Sequence, residues 1–169
     1  DQRTVKRYEE LLEISFQTIS LAPWYRNNLK RLIKTPKIYA KDPGLMSFMH
    51  RLRDTDEIIH SGCFGALLET FLFAELRKQT CMIPGVNHSF YRTHAGKEVD
   101  FVLEYGAKLV GIELKAAASV SVKDFSGLKD LEEANKGRLD FGMVLYQGDE
   151  IVYFAENLAA IPLKYLLFC

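Results

Sequence analysis

The order of hydrophobic and polar positions predicts a small N-terminal unit over residues 1–58. Apolar residues between 4 and 14 recur with the 3.6-residue period of a helix, and residues 16–21 alternate like a strand. A second extended piece begins at Ile38, and an acid followed by proline at 42–43 predicts a helix start. The order helix, strand, basic loop, strand, helix indicates a partial winged-helix element, although other small α+β appendages share it.

From residue 59 to 169 the pattern predicts a layered α/β domain. An acidic turn at 54–57 and Gly62 mark the expected junction before it. A helix over 65–79 is apolar on nearly every side, which is typical of a helix packed between other layers. Strand-like runs follow at 89–93, 98–104 and 109–115, then a helix at 122–135 and strands at 141–146 and 151–154. This order predicts a mixed sheet flanked by helices.

The second and third strands of this domain form a hairpin with charged residues near its open end. Tyr105-Gly106-Ala107-Lys108 fits a two-residue turn with glycine at its first central position, which fixes the register. That register places Asp100 opposite Glu113 and Glu98 opposite Lys115. Strand alternation predicts that these four side chains share one face. The other face would hold the apolar residues Val99, Phe101, Leu103, Val110, Ile112 and Leu114.

Opposed carboxylates repel each other, so Asp100 and Glu113 predict a cation between them. Hard oxygen ligands suit Mg²⁺ or Mn²⁺. Glu69 is the one strongly polar side chain between residues 62 and 74, and an unpaired buried carboxylate costs several kcal/mol. We therefore expect Glu69 to meet a cation or a hydrogen-bond donor. The alternatives are a surface charge ladder on the hairpin and, for Glu69, a salt bridge to Arg92 or Lys115 or exposure to solvent.

Composition and charge add one further feature, a basic segment before residue 42. The chain has 169 residues, 48% of them apolar and 26% charged, which excludes disordered, collagen-like and disulfide-scaffold classes. Net charge is zero, yet no acid occurs between Ile14 and Lys41. The cations of this segment are Arg26, Lys30, Arg31, Lys34, Lys37 and Lys41. Their field favours a phosphate backbone or an acidic partner, and a solvated surface patch is the alternative.

Three scattered cysteines indicate a reducing compartment, so we expect a cytoplasmic protein. No apolar run in the sequence is long enough to span a membrane.

Glu69, Asp100 and Glu113-Leu114-Lys115 together resemble the PD-(D/E)XK nuclease superfamily, which has the restriction-endonuclease-like fold. More closely, the chain resembles the C-terminal domain of unknown function carried by many bacterial and archaeal AAA-type ATPases. The segments that carry this resemblance are Lys34–Tyr39, Asp42–Leu45, Gly65–Phe71, Tyr91-Arg92, Lys97–Phe101 and Ile112–Ala116. One departure is Val99, because the superfamily pattern has proline before the aspartate, and resolvase-like members tolerate this change.

The resemblance implies a role for each matching residue. Asp100 and Glu113 would ligate Mg²⁺ or Mn²⁺, helped by the Leu114 carbonyl and by Glu69 directly or through water. Lys115 would position and polarise the attacking water in an in-line displacement. The candidate nucleic-acid contacts are Arg92, Lys97 and Lys123, together with Arg26, Lys30, Arg31, Lys34 and Lys37 of the basic segment.

The resemblance also implies a Mg²⁺-dependent endonuclease that hydrolyses DNA, with ATP used only by an upstream AAA-type module absent from this chain. The alternative is a catalytically silent nucleic-acid- or protein-binding module of the same ATPase. A winged helix needs about three helices, and only one precedes the expected wing. We therefore expect upstream residues, or a second copy in a homo-oligomer, to cover Val5, Tyr8 and Leu12.

Overall fold

The structure, a computed structural model, describes residues 1–24 and 35–167. Its helices are α1 (Gln2–Ile14), α2 (Pro43–Met49), α3 (Thr55–His60), α4 (Phe64–Thr80), α5 (Ser126–Ala134) and α6 (Lys164–Leu167). Its strands are β1 (Thr18–Leu21), β2 (Lys37–Ala40), β3 (Val86–Arg92), β4 (Glu98–Tyr105), β5 (Lys108–Lys115), β6 (Phe141–Tyr146), β7 (Val152–Ala155) and β8 (Leu158–Pro162). A short 3-10 helix (Val122–Phe125) runs directly into α5.

A six-stranded mixed sheet forms the centre of the fold, with the strand order β3-β4-β5-β6-β8-β7. Strands β5, β6 and β8 run parallel to one another, and the remaining neighbours are antiparallel. The predicted mixed α/β sheet flanked by helices is therefore confirmed. Among the described residues, no helix is long and apolar enough to cross a membrane.

Helices cover both faces of this sheet, because neighbouring residues on its central strands point into two different cores. On one face, Leu72 and Phe73 of α4 pack with Phe101 of β4, and the two aromatic rings stack 5.6 Å apart. On the other face, Leu128 and Leu131 of α5 pack in a second core. Burying each such side chain contributes about 1.5–3 kcal/mol, so the two cores hold the sheet between its helical layers.

Helix α5 approaches the sheet closely because glycine provides the space. A Cβ atom on Gly127 would lie 1.8 Å from the carbonyl oxygen of Glu98, and one on Gly111 would lie 2.5 Å from Leu128 Cδ2. The first turn of α5 is thereby held against the beginning of β4. This contact fixes the backbone of Glu98.

The hairpin of β4 and β5 has the predicted register. Its antiparallel pairing runs from Tyr105 with Lys108 to Phe101 with Ile112. Beyond that pair, the backbone N–H of Leu114 donates to a carboxylate oxygen of Asp100, at 2.9 Å. The turn glycine therefore sets the register of the strands, and the acidic residues lie where the pairing ends.

A β-bulge changes the predicted faces of β4. Ser89 pairs with Val102 and Tyr91 pairs with Val99, so two residues of β4 oppose Phe90 alone. This extra residue places Val99 in the α5 core, whereas Phe101 lies in the α4 core. The prediction that both share one face was wrong, because a bulge shifts the alternation by one residue.

The N-terminal residues form a separate two-stranded sheet of β1 and β2, which is antiparallel. The segment after β1 joins the edge of the large sheet, where Phe90 exchanges backbone hydrogen bonds with Ala22 and Trp24. Trp24 is buried on the α5 face and Leu21 on the α4 face. The partial winged-helix element stays a prediction, since residues 25–34 lie outside the described residues.

Several predicted element boundaries need correction. The acidic residues at 54–57 belong to helix α3 and its cap, since Asp54 accepts from the Glu57 N–H, and the division between residues 58 and 59 stays a prediction. The helix predicted over 122–135 begins as a 3-10 turn. Strand β8 and helix α6 were missed. Most of β8 is buried, so its sequence lacks the alternation that identifies a half-exposed strand.

Helix α1 was predicted correctly, and it contains no buried residue. Val5, Tyr8 and Leu12 on its apolar face are 45–64% exposed. Their coverage by upstream residues or a second copy stays a prediction.

Candidate functional site

A cleft of about 710 Å³ opens between β2, α4 and the ends of β4 and β5. All five residues predicted for catalysis or metal binding line it: Glu69, Asp100, Glu113, Leu114 and Lys115. Of the predicted nucleic-acid contacts, Arg92 and Lys37 also line this cleft. Lys97 and Lys123 are exposed outside it, and Arg26, Lys30, Arg31 and Lys34 lie outside the described residues.

Each acidic residue is positioned by the element that carries it. Glu69 lies on α4 one turn before Phe73, so the packing of that ring orients Glu69 toward the cleft. Asp100 is one of the two residues in the β4 bulge. Glu113 and Lys115 lie at the end of β5, beyond its pairing with β4. The cleft therefore collects side chains where regular pairing stops.

Lys37 of β2 lies between three carboxylates that line the cleft, those of Glu69, Glu98 and Asp100. Its Nζ atom is 2.9 Å from Glu69 Oε1, 2.8 Å from Glu98 Oε1 and 3.2 Å from Asp100 Oδ1. The side chain is only 15% exposed. Burial alone would lower the pKa of Lys37. The carboxylates of Asp100 and Glu69 raise it by more than burial lowers it, so the net pKa lies well above the ordinary value. Lys37 is therefore protonated and positively charged at neutral pH.

Tyr39, two residues further along β2, supports the same carboxylate. Its hydroxyl donates a hydrogen bond to Glu69 Oε1. Burial, and then this bond to a carboxylate, raise the pKa of the Tyr39 hydroxyl, which stays a donor. Because Tyr39 also packs against the Phe73 and Phe101 rings, it connects the site to the α4 core.

Asp100 links the two halves of the site. One oxygen accepts from Lys37, and the other accepts from the backbone N–H of Leu114. Burial and the nearby Glu69 carboxylate raise the pKa of Asp100, although Lys37 and the Leu114 N–H oppose them.

Glu113 and Lys115 form the other half. Lys115 Nζ is 3.2 Å from Glu113 Oε1 and 3.9 Å from Asp124 Oδ1. Burial, with repulsion from Asp100, raises the pKa of Glu113 to about 8 against the opposing effect of Lys115. Its second oxygen, Oε2, is buried and has no hydrogen-bond partner. Glu113 lines the cleft, and this oxygen is an unsatisfied acceptor in the cleft wall.

The carboxylates fit a divalent cation in chemistry, but their present arrangement fits an ammonium group. Carboxylate oxygens and the unpartnered Glu113 Oε2 are the ligands that Mg²⁺ and Mn²⁺ prefer. Within residues 1–24 and 35–167, however, no group of three or more His, Cys, Asp or Glu residues is arranged to hold a metal ion. The oxygens around Lys37 lie about 3 Å from its nitrogen, whereas Mg²⁺ requires roughly 2.0–2.1 Å.

Three predicted pairings need correction. Glu69 meets a cation and a hydrogen-bond donor, as predicted, but these are Lys37 and Tyr39 and not the alternative partners Arg92 or Lys115. Glu98 was placed opposite Lys115 as its charge partner. It instead forms a two-pronged pair with Arg92, with both nitrogen–oxygen hydrogen bonds at 2.8 Å, and a further pair with Lys37. Strands β4 and β5 are no longer paired at Glu98 and Lys115, and Lys115 forms an ion pair with Glu113 instead.

The sequence alone predicts Lys37 to be one of the cations that contact phosphate and gives Tyr39 no role in the site. The structure places the Lys37 ammonium among carboxylates. The alternation of Lys37 and Tyr39 on a short strand was a usable signal, because residues two apart share a face. It would have placed the two side chains on one face, without identifying Glu69 as their partner.

Comparison with known families shows what kind of domain this is. Residues 64–166 match the domain of unknown function DUF4143, and the chain belongs to this family. Residues 1–56 match a second domain of unknown function, DUF8612. The resemblance to a family of domains of unknown function is thus confirmed, and the nuclease assignment stays a prediction.

Two mycobacterial proteins are similar over nearly the whole chain. They are the uncharacterized proteins Mb2031c of Mycobacterium bovis and Rv2008c of Mycobacterium tuberculosis, each 28% identical over 171 residues. The match includes 98% of this chain and 36% of each relative, so the chain spans about a third of their length.

One solved structure is also similar, a half-complex from the tetradecameric assembly of Thermococcus gammatolerans McrB AAA+ hexamers with bound McrC. The match has a TM-score of 0.42 at 14% identity and covers 58% of this chain and 27% of the other. A likeness at this level carries no argument about function or assembly.

Proposed function

We propose that the cleft is a phosphodiesterase site of the PD-(D/E)XK type, which uses Mg²⁺ or Mn²⁺ to hydrolyse DNA. The observation that carries the proposal is the meeting of Glu69, Asp100, Glu113 and Lys115 in one cleft. These residues come from a helix and a following hairpin, as the superfamily pattern requires. The buried, unpartnered Oε2 of Glu113 supports a cation-binding role, because an ion would satisfy that oxygen.

The ion-binding residues in this proposal are Asp100, Glu113 and the carbonyl of Leu114, with Glu69 as a further ligand or as the acceptor of a bound water. When present, the ion supplies an activated water and neutralises charge on the phosphate. Lys115 acts from the side of Glu113. Its side chain is 36% exposed and its Nζ atom pairs with Glu113 Oε1, so the ammonium group can also donate to a water at the mouth of the cleft. Lys115 thus orients the attacking water.

Arg92 is the phosphate contact that the geometry supports best. It lines the cleft, is 40% exposed, and is held in place by Glu98. A guanidinium group that keeps free N–H donors can bind a phosphate oxygen while one edge stays paired. Lys97 and Lys123 are exposed outside the cleft, so we propose that they contact more distant phosphates.

We propose that this site works as part of a longer protein with an upstream AAA-type ATPase module. The sequence resemblance to domains carried by such ATPases supports this, and so does the greater length of the mycobacterial relatives. ATP would then be used outside this chain. The exposed apolar residues Val5, Tyr8 and Leu12 of α1 support a homo-oligomer in which a second copy covers them.

Metal titration and DNA cleavage test the catalytic proposal. The wild type should bind Mn²⁺ in calorimetry and cleave at least one of linear, junction or single-stranded DNA, and Asp100→Ala should lose both. Lys115→Ala should reduce cleavage by at least roughly a hundredfold, because it removes the group that orients the water. Lys108→Ala is the matched control at the exposed start of β5. Cleavage that survives in both Lys115→Ala and Glu113→Ala would refute the proposal and indicate a contaminating nuclease.

A second candidate function is a silent binding module, and the position of Lys37 favours it. A single ammonium group already pairs with Glu69, Glu98 and Asp100, so part of their negative charge is offset without a divalent ion. On this alternative, the wild type binds DNA or a protein partner but cleaves no DNA at millimolar Mn²⁺. The same titration separates the two functions.

A further inference from the structure

The cation within the carboxylate cluster comes from a distant part of the chain. Lys37 is 32 residues from Glu69 and 63 residues from Asp100 in sequence. It lies in the range that matches DUF8612, whereas the carboxylates lie in the range that matches DUF4143. The N-terminal unit therefore inserts a charged group into the proposed site of the second unit.

This ammonium group uses the oxygens that a divalent ion would need. Lys37 bonds Glu69 Oε1 and Asp100 Oδ1, and both residues are proposed ligands. A like charge within about 4–6 Å weakens binding of a cation by roughly ten- to a thousandfold, by analogy with its effect on proton binding. Charge repulsion between the ammonium group and a divalent ion at these shared carboxylates disfavours the binding of both at the same time.

The surroundings of Lys37 allow the ammonium group to leave. The cleft is open, and the only strand that pairs with β2 among the described residues is β1. The Nζ atom lies 5.5 Å from the centre of the Phe90 ring, which gives the cation an adjacent aromatic face. Withdrawal of the side chain breaks no hydrogen bond of the large sheet. Tyr39 can keep its bond to Glu69 during this change.

We propose that Lys37 is an internal counter-cation that blocks the metal site and must withdraw before a divalent ion binds. The inference rests on the proposed function, because it assumes that Glu69 and Asp100 are metal ligands. It makes strand β2, which carries Lys37, a gate for metal entry. Movement of β2 would then control the activity of the cleft.

Calorimetry with Mn²⁺ tests this proposal on the whole chain. Lys37→Met removes the charge and keeps much of the side-chain volume, and Lys41→Met is a matched control at an exposed position next to β2. We expect Lys37→Met to bind Mn²⁺ at least roughly tenfold more tightly than wild type, with a larger metal-induced rise in melting temperature. Lys41→Met should behave like wild type.

The outcomes separate the two proposals. Equal Mn²⁺ affinity in wild type and Lys37→Met, with binding abolished in Asp100→Ala, would overturn the gate and leave the metal site intact. No Mn²⁺ binding in either wild type or folded Lys37→Met would overturn the metal site and the gate together. An equal gain in Lys41→Met would assign the effect to general charge, which also overturns the gate.

A second measurement uses only wild-type protein and remains valid if Lys37→Met fails to fold. An amine-acylating reagent followed by mass spectrometry reports the accessibility of each lysine. We expect Mn²⁺ to increase the acylation rate of Lys37 several-fold and to leave that of Lys41 unchanged. If saturating Mn²⁺ leaves Lys37 as protected as before, the ammonium group has not withdrawn and the gate is refuted.

Discussion

Replacing Glu113 with glutamine should stabilise the metal-free protein at alkaline pH. Burial and Asp100 raise the Glu113 pKa from 4.5 to about 8 in the folded state. Between these values the folded state binds more protons than the unfolded state, so the free energy of unfolding falls as pH rises through this window. Each pKa unit corresponds to about 1.4 kcal/mol, so above pH 8 the loss in the free energy of unfolding that Glu113 causes is at most about 5 kcal/mol. We expect a loss of about half that bound, because the ionised Glu113 side chain can move closer to the Lys115 ammonium group.

Urea unfolding in the presence of a chelator measures this effect. The single tryptophan, Trp24, is buried beside Tyr91 and serves as the fluorescent probe. The stability of wild type should fall from pH 5 to pH 9, and Glu113→Gln should show a much smaller fall. Glu104→Gln is the matched control near the turn of the same hairpin. Parallel pH profiles for wild type and Glu113→Gln would refute the role of Glu113 burial.

Three further variants test the packing around the site, each by urea unfolding at pH 7. Gly127→Ala should cost about 3 kcal/mol, because its Cβ would meet the Glu98 carbonyl oxygen at 1.8 Å; a loss below 0.5 kcal/mol, on the order of a surface substitution, would contradict that contact. Tyr39→Phe should cost about 1.5–3 kcal/mol by removing a donor to charged Glu69; unchanged stability would show that water replaces the hydroxyl. Leu72→Ala should cost about 2–5 kcal/mol, since the side chain is fully buried; a neutral result would place α4 off the sheet.

The parts of the fold that follow from local sequence were predictable. Gly106 in a two-residue turn determined the register of β4 and β5. The apolar α4 and the caps of α2 were likewise visible, because Asp42 and Pro43 act within one turn of the helix. The meeting of Asp100, Glu113 and Glu69 followed from that register and from the resemblance together.

The remaining features depend on contacts between distant residues. No local signal marked the β4 bulge, because its extra residue is defined only by the pairing with β3. The position of Lys37 could not be inferred from charge, since a lysine in a basic segment has the same sequence signature whether it meets solvent or carboxylates. Strand β8 was hidden because burial on both faces removes alternation.

The segment from Leu21 to Trp24 has a consequence for solubility. Strand β3 is an outer strand of the six-stranded sheet, and unpaired amides on such a strand template the addition of another chain. At Phe90 this edge is occupied, because the Phe90 N–H donates to the Ala22 carbonyl and the Trp24 N–H donates to the Phe90 carbonyl. Pro23 between them offers no N–H to an incoming strand. A version of the protein that began after Trp24 would expose β3 and would self-associate by strand addition, even though every carboxylate of the cleft would still be present.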